Sequence, residues 1–186
     1  MRIGIDIDGV MTEYDSVILK TANDYGFKHI KNAYYLQDEF GITKEQEDKY
    51  WSKYYDKAQK YVEARPNVAE VINMLHKRGH EIWIVTGRSE IDVPKDDNSS
   101  FVETTFNWLE KNDIYYDKIF FRITEKGNFC QKYKIDLMIE DSPEQIIYLN
   151  KKNIKTIIMN CSYNRNMHLD NTYHVDNWDR INTLIK

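Results

Sequence analysis

The chain begins with an apolar segment that runs directly into two acidic residues. Ile3, Ile5 and Ile7 predict a buried strand, and Asp6 and Asp8 lie at its end. Side chains at positions i and i+2 leave a strand on the same face. An apolar strand should not end in two carboxylates unless something binds them, because burying an unpaired charge is costly. The opening therefore predicts a buried strand with a ligand site at its carboxyl end.

Short apolar runs recur along the chain, and most are separated by helical patterns of about three turns. Alternating strands and helices predict an α/β fold, a doubly wound parallel sheet covered on both faces. A polar stretch at 94–100 predicts a mobile loop whose end caps the next helix. The predicted strands are residues 2–8, 81–85, 118–121, 136–140 and 155–159.

Length and charge limit the classes of partner. A chain of 186 residues can hold one α/β core with a modest insertion, and its net charge of −4 provides no basic field for nucleic acid or an acidic membrane. A small-molecule partner is therefore favoured. Early acidic residues and the lack of a long apolar run argue against a signal peptide or membrane span, so we expect a cytoplasmic protein. Cys130 and Cys161 are expected to be reduced thiols in a helix and a loop.

One long segment interrupts the alternation of strands and helices. Residues 11–65 contain no convincing strand, and we predict a helical cap inserted into a core made of 1–10 and 66–186. One cap helix should span 15–25. A second should open at Thr43, where Gln46 completes a capping box. The cap is rich in aromatic residues, most of which must form its own core, although one or two could stack on a nucleobase.

Two further helix starts carry capping patterns. Asn67 is followed three residues later by Glu70, and Ser142 is followed by Gln145. Pro143 fits the first turn of the second helix, where the missing amide hydrogen does no harm.

Three motifs add polar groups at the carboxyl ends of later strands or in the segment between them. Thr86 follows the second strand, Lys126 leads a later helix, and Glu140 and Asp141 end the fourth strand. In a doubly wound sheet these ends share one edge, where ligands bind. Carboxylates, a lysine and a hydroxyl meeting there could hold a divalent cation and a phosphoryl group.

These motifs resemble the haloacid dehalogenase superfamily of phosphohydrolases. The first family motif matches 6–10, the second is met by Thr86, the third by Lys126 and the acidic fourth by 140–141. The resemblance covers essentially the whole chain, and the insertion resembles the smaller type of family cap. Within the superfamily, the sequence segments 40–43, 86–88 and 139–143 are similar to those of the 5′-nucleotidase group of deoxyribonucleotidase type.

The resemblance implies Mg²⁺-dependent chemistry through an aspartyl phosphate. Asp6 would be the nucleophile and a Mg²⁺ ligand. Asp8 would give a proton to the departing alcohol and later take one from water, and its backbone carbonyl would be a further ligand of Mg²⁺. Thr86 would bind a phosphoryl oxygen, or else cap a helix. Lys126 would pair with the phosphate and keep Asp6 ionised.

Several assignments have alternatives. Lys126 could be a solvated helix residue, and the nearby lysines 132 and 134 compete with it, although Lys126 keeps the family spacing. Asp141 is assigned to the metal and Glu140 to orienting a water or Lys126, an order that could be reversed. Gly87 would give backbone room beside the phosphate. Arg88 would reach the substrate phosphate or sugar, or else lie in solvent or face the cap.

The substrate implied by the resemblance is a small phosphomonoester, first a nucleoside or deoxynucleoside 5′-monophosphate. A sugar phosphate or another small ester is the alternative within the same chemistry, and transfer of the phosphoryl group to a second alcohol is also open. A catalytically idle scaffold that binds phosphate or magnesium is the alternative from another class. The sequence does not indicate an oligomeric state.

Overall fold

The structure is a computed structural model that describes residues 1–89 and 100–186, with residues 56–61 described by their helical backbone alone. Within these residues, the strands are β1 (Arg2–Ile5), β2 (Glu81–Val85), β3 (Lys118–Phe120), β4 (Leu137–Glu140), β5 (Lys155–Met159) and β6 (Thr172–Val175). The helices are α1 (Tyr14–Tyr25), α2 (Leu36–Phe40), α3 (Lys44–Tyr61), α4 (Val68–Lys77), α5 (Phe101–Lys111), α6 (Lys126–Tyr133), α7 (Pro143–Lys151) and α8 (Trp178–Leu184).

The strands form one parallel sheet in the order β3-β2-β1-β4-β5-β6. This order confirms the predicted doubly wound α/β fold. Consecutive strands run outward from β1 in one direction until β3, and the chain then crosses to β4 on the other side. The switch point therefore lies between β1 and β4, where such sheets bind ligands at their carboxyl ends.

The edge strand β6 was missed by the sequence prediction, which had five strands. Within β6, only Val175 is buried, while Tyr173 is half exposed. An edge strand packed on one side has no continuous apolar run, and its pairing with β5 depends on tertiary contacts. The prediction relied on such runs, so this segment gave no signal.

The first strand is shorter than predicted. β1 ends at Ile5, although the Asp6 amide still donates to the Ile139 carbonyl at 3.1 Å. The chain then turns, because the Met11 amide folds back onto the Ile7 carbonyl at 2.8 Å. The two acidic residues thus lie in a turn beyond the strand, and the rule that i and i+2 share a strand face does not describe them.

Gly9 makes this turn possible. Its φ is +77°, a left-handed conformation that side chains disfavour, and a Cβ atom here would overlap the carboxylate of Asp141. The first and fourth motifs are therefore packed together at a position that only glycine fits.

Apolar side chains cover both faces of the sheet. Buried Ile72, Leu75 and Trp178 pack in the cluster on one face, and Trp83 and Met138 belong to the cluster on the other. Because both faces are covered, the central strands are buried along most of their length.

The cap consists of α1, α2 and α3 around an apolar cluster of its own, which includes Ile18, Phe40 and Tyr50. The predicted capping box at Thr43 is confirmed, since its hydroxyl accepts from the Gln46 amide at 3.3 Å. The two chain crossings between cap and core run side by side and form one antiparallel bridge, between residues 12 and 64. The predicted domain limits at 10/11 and 65/66 fall next to these crossings and stay a prediction.

The other two capping patterns predict where the helices begin, but the predicted capping hydrogen bonds do not form. Asn67 precedes α4, but its side chain donates to Asp179 at 3.0 Å. Ser142 precedes α7 without a side-chain cap bond, and Gln145 instead donates to the Thr124 carbonyl at 2.9 Å. Tertiary partners compete for these polar groups, which local spacing cannot foresee. Pro143 does occupy the first turn, as predicted.

The structure also describes the two cysteines and the end of the predicted polar loop. Cys130 in α6 and Cys161 in the loop after β5 are both free and buried, which confirms their placement, and burial raises the pKa of Cys130 to about 12. Ser100 caps α5 by accepting from the Glu103 amide at 3.1 Å, as predicted. The rest of the predicted loop, 94–99, lies outside the described residues. Among the helices that are described, none has the length and apolar character needed to cross a membrane.

Candidate active site

The predicted site residues converge at the carboxyl end of the sheet. Asp6 directly follows β1, Thr86 directly follows β2 and Glu140 is the last residue of β4. They line a cavity of about 540 Å³ that lies between the sheet edge and the cap helices. The neighbouring positions of β1, β2 and β4 in the sheet bring together groups that are up to 134 residues apart in sequence.

Lys126 joins the first and fourth motifs. Its Nζ donates to Asp6 Oδ1 and to Glu140 Oε2, both at 2.6 Å, and all three side chains are buried. It is not the solvated helix residue of the alternative assignment. The competing lysines do not reach the acids: Lys132 lies over the Tyr133 ring, and Lys134 ends α6 in a left-handed conformation.

Asp141 and Glu140 have different hydrogen-bond partners. Both carboxylate oxygens of Glu140 are engaged, one by Lys126 and the other by the Ser142 amide at 3.0 Å. Asp141 Oδ2 accepts a bond from the Tyr163 hydroxyl. Ligand oxygens of Asp6, Glu140 and Asp141 all lie within 4.8 Å of one another. This spacing would suit a single cation.

The buried charges strongly influence one another. Burial, together with repulsion from Glu140 and Asp8, raises the pKa of Asp6 to about 7 against the attraction of Lys126. Burial also raises the pKa of Asp141, with added repulsion from Glu140. Burial alone would lower the pKa of Lys126, but Asp6 and Glu140 raise it above its usual range. The carboxylates therefore have more negative charge than one lysine balances.

Asp8 is held by Arg88. The guanidinium donates from Nε to Asp8 Oδ2 at 2.8 Å and from Nη2 to Asp8 Oδ1 at 2.5 Å. Arg88 is buried, so it does not lie in solvent as one alternative had it. The Thr86 hydroxyl accepts from the Arg88 amide at 3.2 Å, inside the turn after β2. An added Cβ at Gly87 would meet only the Ile123 carbonyl, at 3.9 Å, so its role beside a phosphate stays a prediction.

The cap side of the cavity combines aromatic rings with carboxylates. Among the described lining residues, the cations are Arg88 and Lys126, and both are paired with core acids. Trp51 donates from its indole nitrogen to Glu47 at 3.4 Å. The cap contributes Tyr14, Asp15, Tyr34, Tyr35, Glu39, Glu47, Trp51 and Tyr55 to the lining.

Sequence reasoning missed the loop after β5. Asn164 is fully buried and donates to the carbonyls of Asp141 and Met159, at 2.8 and 2.9 Å. Tyr163, next to it, reaches the Asp141 carboxylate and lines the cavity. A usable signal existed, because this polar loop follows an apolar strand at the same sheet edge as the other motifs.

Comparison with known proteins identifies the family of the chain. The sequence model of the cytosolic type C 5′ nucleotidase, deoxy (pyrimidine), family matches residues 1–186. A nucleotidase of Clostridium acetobutylicum is 28% identical over 191 residues, which cover 100% of this chain and 93% of that protein.

Solved structures show the same fold at lower identity. A haloacid dehalogenase-like hydrolase from Streptococcus pneumoniae superposes with a TM-score of 0.69 at 14% identity, covering 100% of this chain and 98% of the other. A haloacid dehalogenase superfamily hydrolase of subfamily IA from Geobacter sulfurreducens has a TM-score of 0.60 at 14% identity, covering 100% and 96%. The family model matches the whole chain and the solved structures show a haloacid dehalogenase-like fold, so this protein belongs to the cytosolic type C family of 5′ nucleotidases, deoxy (pyrimidine).

Proposed function

We propose that the protein is a Mg²⁺-dependent phosphomonoester hydrolase that works through an aspartyl phosphate on Asp6, most suitably with a nucleoside or deoxynucleoside 5′-monophosphate. The observation that carries this proposal is the buried Lys126 bridge, with its two 2.6 Å bonds to Asp6 and Glu140. A purely structural core would not bury three carboxylates around one lysine, because their desolvation is costly. We place the enzyme in the cytoplasm.

The acidic cluster supports the choice of metal. Asp6, Glu140 and Asp141 offer hard oxygen ligands within 4.8 Å, and Mg²⁺ prefers such ligands. Asp6 and Asp141 would hold the ion with the Asp8 backbone carbonyl, while Glu140 keeps Lys126 in place. The bonds already made by both Glu140 oxygens favour this order. The bound ion would neutralise the charge shared by the phosphate and the carboxylates.

Each of these side chains then has its own role in the reaction. An Asp6 oxygen forms a bond to phosphorus while the ester oxygen leaves, and Asp8 gives that oxygen its proton. Lys126 and Thr86 bind the phosphoryl oxygens and favour the charge that develops on them. In the second half, water gives a proton to Asp8 and attacks phosphorus, and phosphate leaves with Asp6 restored.

The cap half of the cavity supports a nucleoside as the leaving group. Aromatic rings such as Trp51 and Tyr55 can stack on a base, and the Glu47 carboxylate can accept from an amino group of a base. The cap carboxylates Asp15, Glu39 and Glu47 would repel a second phosphate on the leaving group. A monophosphate with an uncharged leaving group fits both properties.

The test is phosphate release from a panel of nucleoside, deoxynucleoside and sugar monophosphates with magnesium, for the wild type and for Asp6→Asn. We expect nucleotide turnover that is lost in Asp6→Asn and in excess chelator. Asp48→Asn, in an exposed position of α3, is the matched control and should keep full activity. A sugar phosphate as the best substrate would keep the mechanism and change the substrate. No release from any ester would contradict the proposed activity.

A further inference from the structure

The side-chain hydrogen bonds of Arg88 go to residues of the core. Its Nε and Nη2 atoms bind the two oxygens of Asp8, at 2.8 and 2.5 Å, and its Nη1 donates to the Thr105 hydroxyl at 3.2 Å. A planar guanidinium that grips both oxygens of a carboxylate sets the direction of that carboxylate as well as its distance.

The core anchors the arginine more firmly than the acid. The Arg88 side chain is 1% exposed, whereas that of Asp8 is 24% exposed and borders the cavity. Thr105 lies in α5 and donates its own hydroxyl hydrogen to the Phe101 carbonyl at 2.7 Å. The Arg88 carbonyl also accepts from the Arg122 amide at 3.2 Å. The position of the guanidinium is therefore set by the core, and the Asp8 carboxylate follows it.

We infer that Arg88 is a positioning residue for Asp8, which it aims at the ester oxygen of the substrate, and that it does not itself bind the phosphate. The inference rests on the proposed function, in which Asp8 exchanges a proton with the leaving group and with water. A general acid must lie within hydrogen-bond reach of the reacting oxygen, and a free carboxylate in a turn could rotate away. Arg88 also balances the Asp8 charge beside the incoming phosphate.

Leaving-group chemistry separates a positioning role from a structural one. A phenol with a low pKa leaves without a proton, whereas a phenol or alcohol with a high pKa needs one. The experiment measures kcat/KM with magnesium for a series of aryl phosphates of graded leaving-group pKa, together with one nucleoside monophosphate. It compares wild type, Arg88→Met, Arg88→Lys, Asp8→Asn and the double variant Asp8→Asn/Arg88→Met. For each variant, log(kcat/KM) is plotted against the leaving-group pKa. The slope of this plot within one preparation does not depend on the fraction of folded enzyme.

Arg65→Met is the matched control. Arg65 is also largely buried, and it donates from Nε and Nη2 to the Gly9 carbonyl, at 3.1 and 3.0 Å, in the turn that carries Asp8. It makes no contact with the Asp8 carboxylate among the described hydrogen bonds and ion pairs. Its loss should lower every rate by a similar factor, since it supports the turn without holding the Asp8 carboxylate.

We expect Arg88→Met to lower kcat/KM about 100-fold for the nucleotide and less than about tenfold for the most activated aryl phosphate, with Arg88→Lys between it and wild type. The double variant should be no slower than Asp8→Asn. Equal losses across the series, or additive losses in the double variant, would overturn the inference and leave the proposed function standing. A wild type that hydrolyses none of these esters would overturn both.

Discussion

The two halves of the cavity are built in opposite ways. On the core side both cations are paired with acids: Lys126 lies between Asp6 and Glu140, and Arg88 binds Asp8. On the cap side the carboxylates rely mostly on neutral or exposed partners, and aromatic rings make up much of the wall. The difference indicates that the core half is fixed for one reaction, while the cap half sets which leaving group can enter.

The arrangement of the chain explains this division. The core groups stand at the carboxyl ends of neighbouring parallel strands or at the start of α6, where backbone hydrogen bonds limit their movement. The cap groups stand on helices that connect to the core by two adjacent crossings. Groups for chemistry need a rigid support, whereas groups that accept different leaving groups can vary on a separate unit.

The largest effect should come from the paired core. Lys126→Met removes the cation that Asp6 and Glu140 share, so we expect kcat/KM to fall about 1,000-fold through loss of a charged donor to the phosphoryl group. Lys132→Met, an exposed lysine on the same helix, is the control and should keep its activity. Comparable losses in the two variants would contradict the contrast between paired and solvated cations.

A smaller effect should follow from loosening the support of Asp141. Asn164→Ala removes the bonds to the Asp141 and Met159 carbonyls, so we expect the magnesium concentration for half-maximal activity to rise about tenfold. Rates at saturating magnesium should change little. Asn160→Ala breaks bonds to Asp176 and His174 near the same loop and should not alter the magnesium requirement.

The crowded core acids predict a pH-dependent stability. Burial raises the pKa of Asp6 from 3.8 to about 7, so the native carboxyl holds a proton that the unfolded chain has lost between these values. Stability without magnesium should fall as pH rises through this window. We expect the melting temperature in chelator to be about 5 °C lower at pH 8 than at pH 6.

Adding magnesium, or replacing Asp6, tests whether Asp6 causes this pH dependence of the melting temperature. The ion should stabilise the protein more at pH 8 than at pH 6, since it binds ionised carboxylates. Asp6→Asn should show a smaller drop with pH, because the titrating group is gone. A melting temperature that is flat or rises between pH 6 and 8 would contradict the assignment of the raised pKa to Asp6.

The smallest effect should come from the cap acids. We expect Asp15→Asn and Glu47→Gln each to raise the activity toward a nucleoside 3′,5′-bisphosphate, relative to the matching 5′-monophosphate, by about threefold. Glu45→Gln, whose carboxylate is exposed on the outer side of α3, is the control. Unchanged ratios in both cap variants would mean that the cap charges do not select the leaving group.

Much of the fold and the site followed from pattern. Apolar runs gave five of the six described strands, and helical and capping patterns gave the helices at 15–25 and after Thr43. The motifs around Asp6, Thr86, Lys126 and Glu140 could be placed together because parallel strands end at a common edge. These predictions depend on local chemistry and a general rule of topology.

What the sequence alone determined is therefore the class of fold, the meeting of the motifs and the type of chemistry that their residues can support. Tertiary structure alone decided the partners: Arg88 with Asp8, Asn67 with Asp179, and Asn164 with the Asp141 carbonyl. The physical reason is that periodicity and capping act between near neighbours, whereas a buried polar group bonds to whatever the packed fold brings within reach.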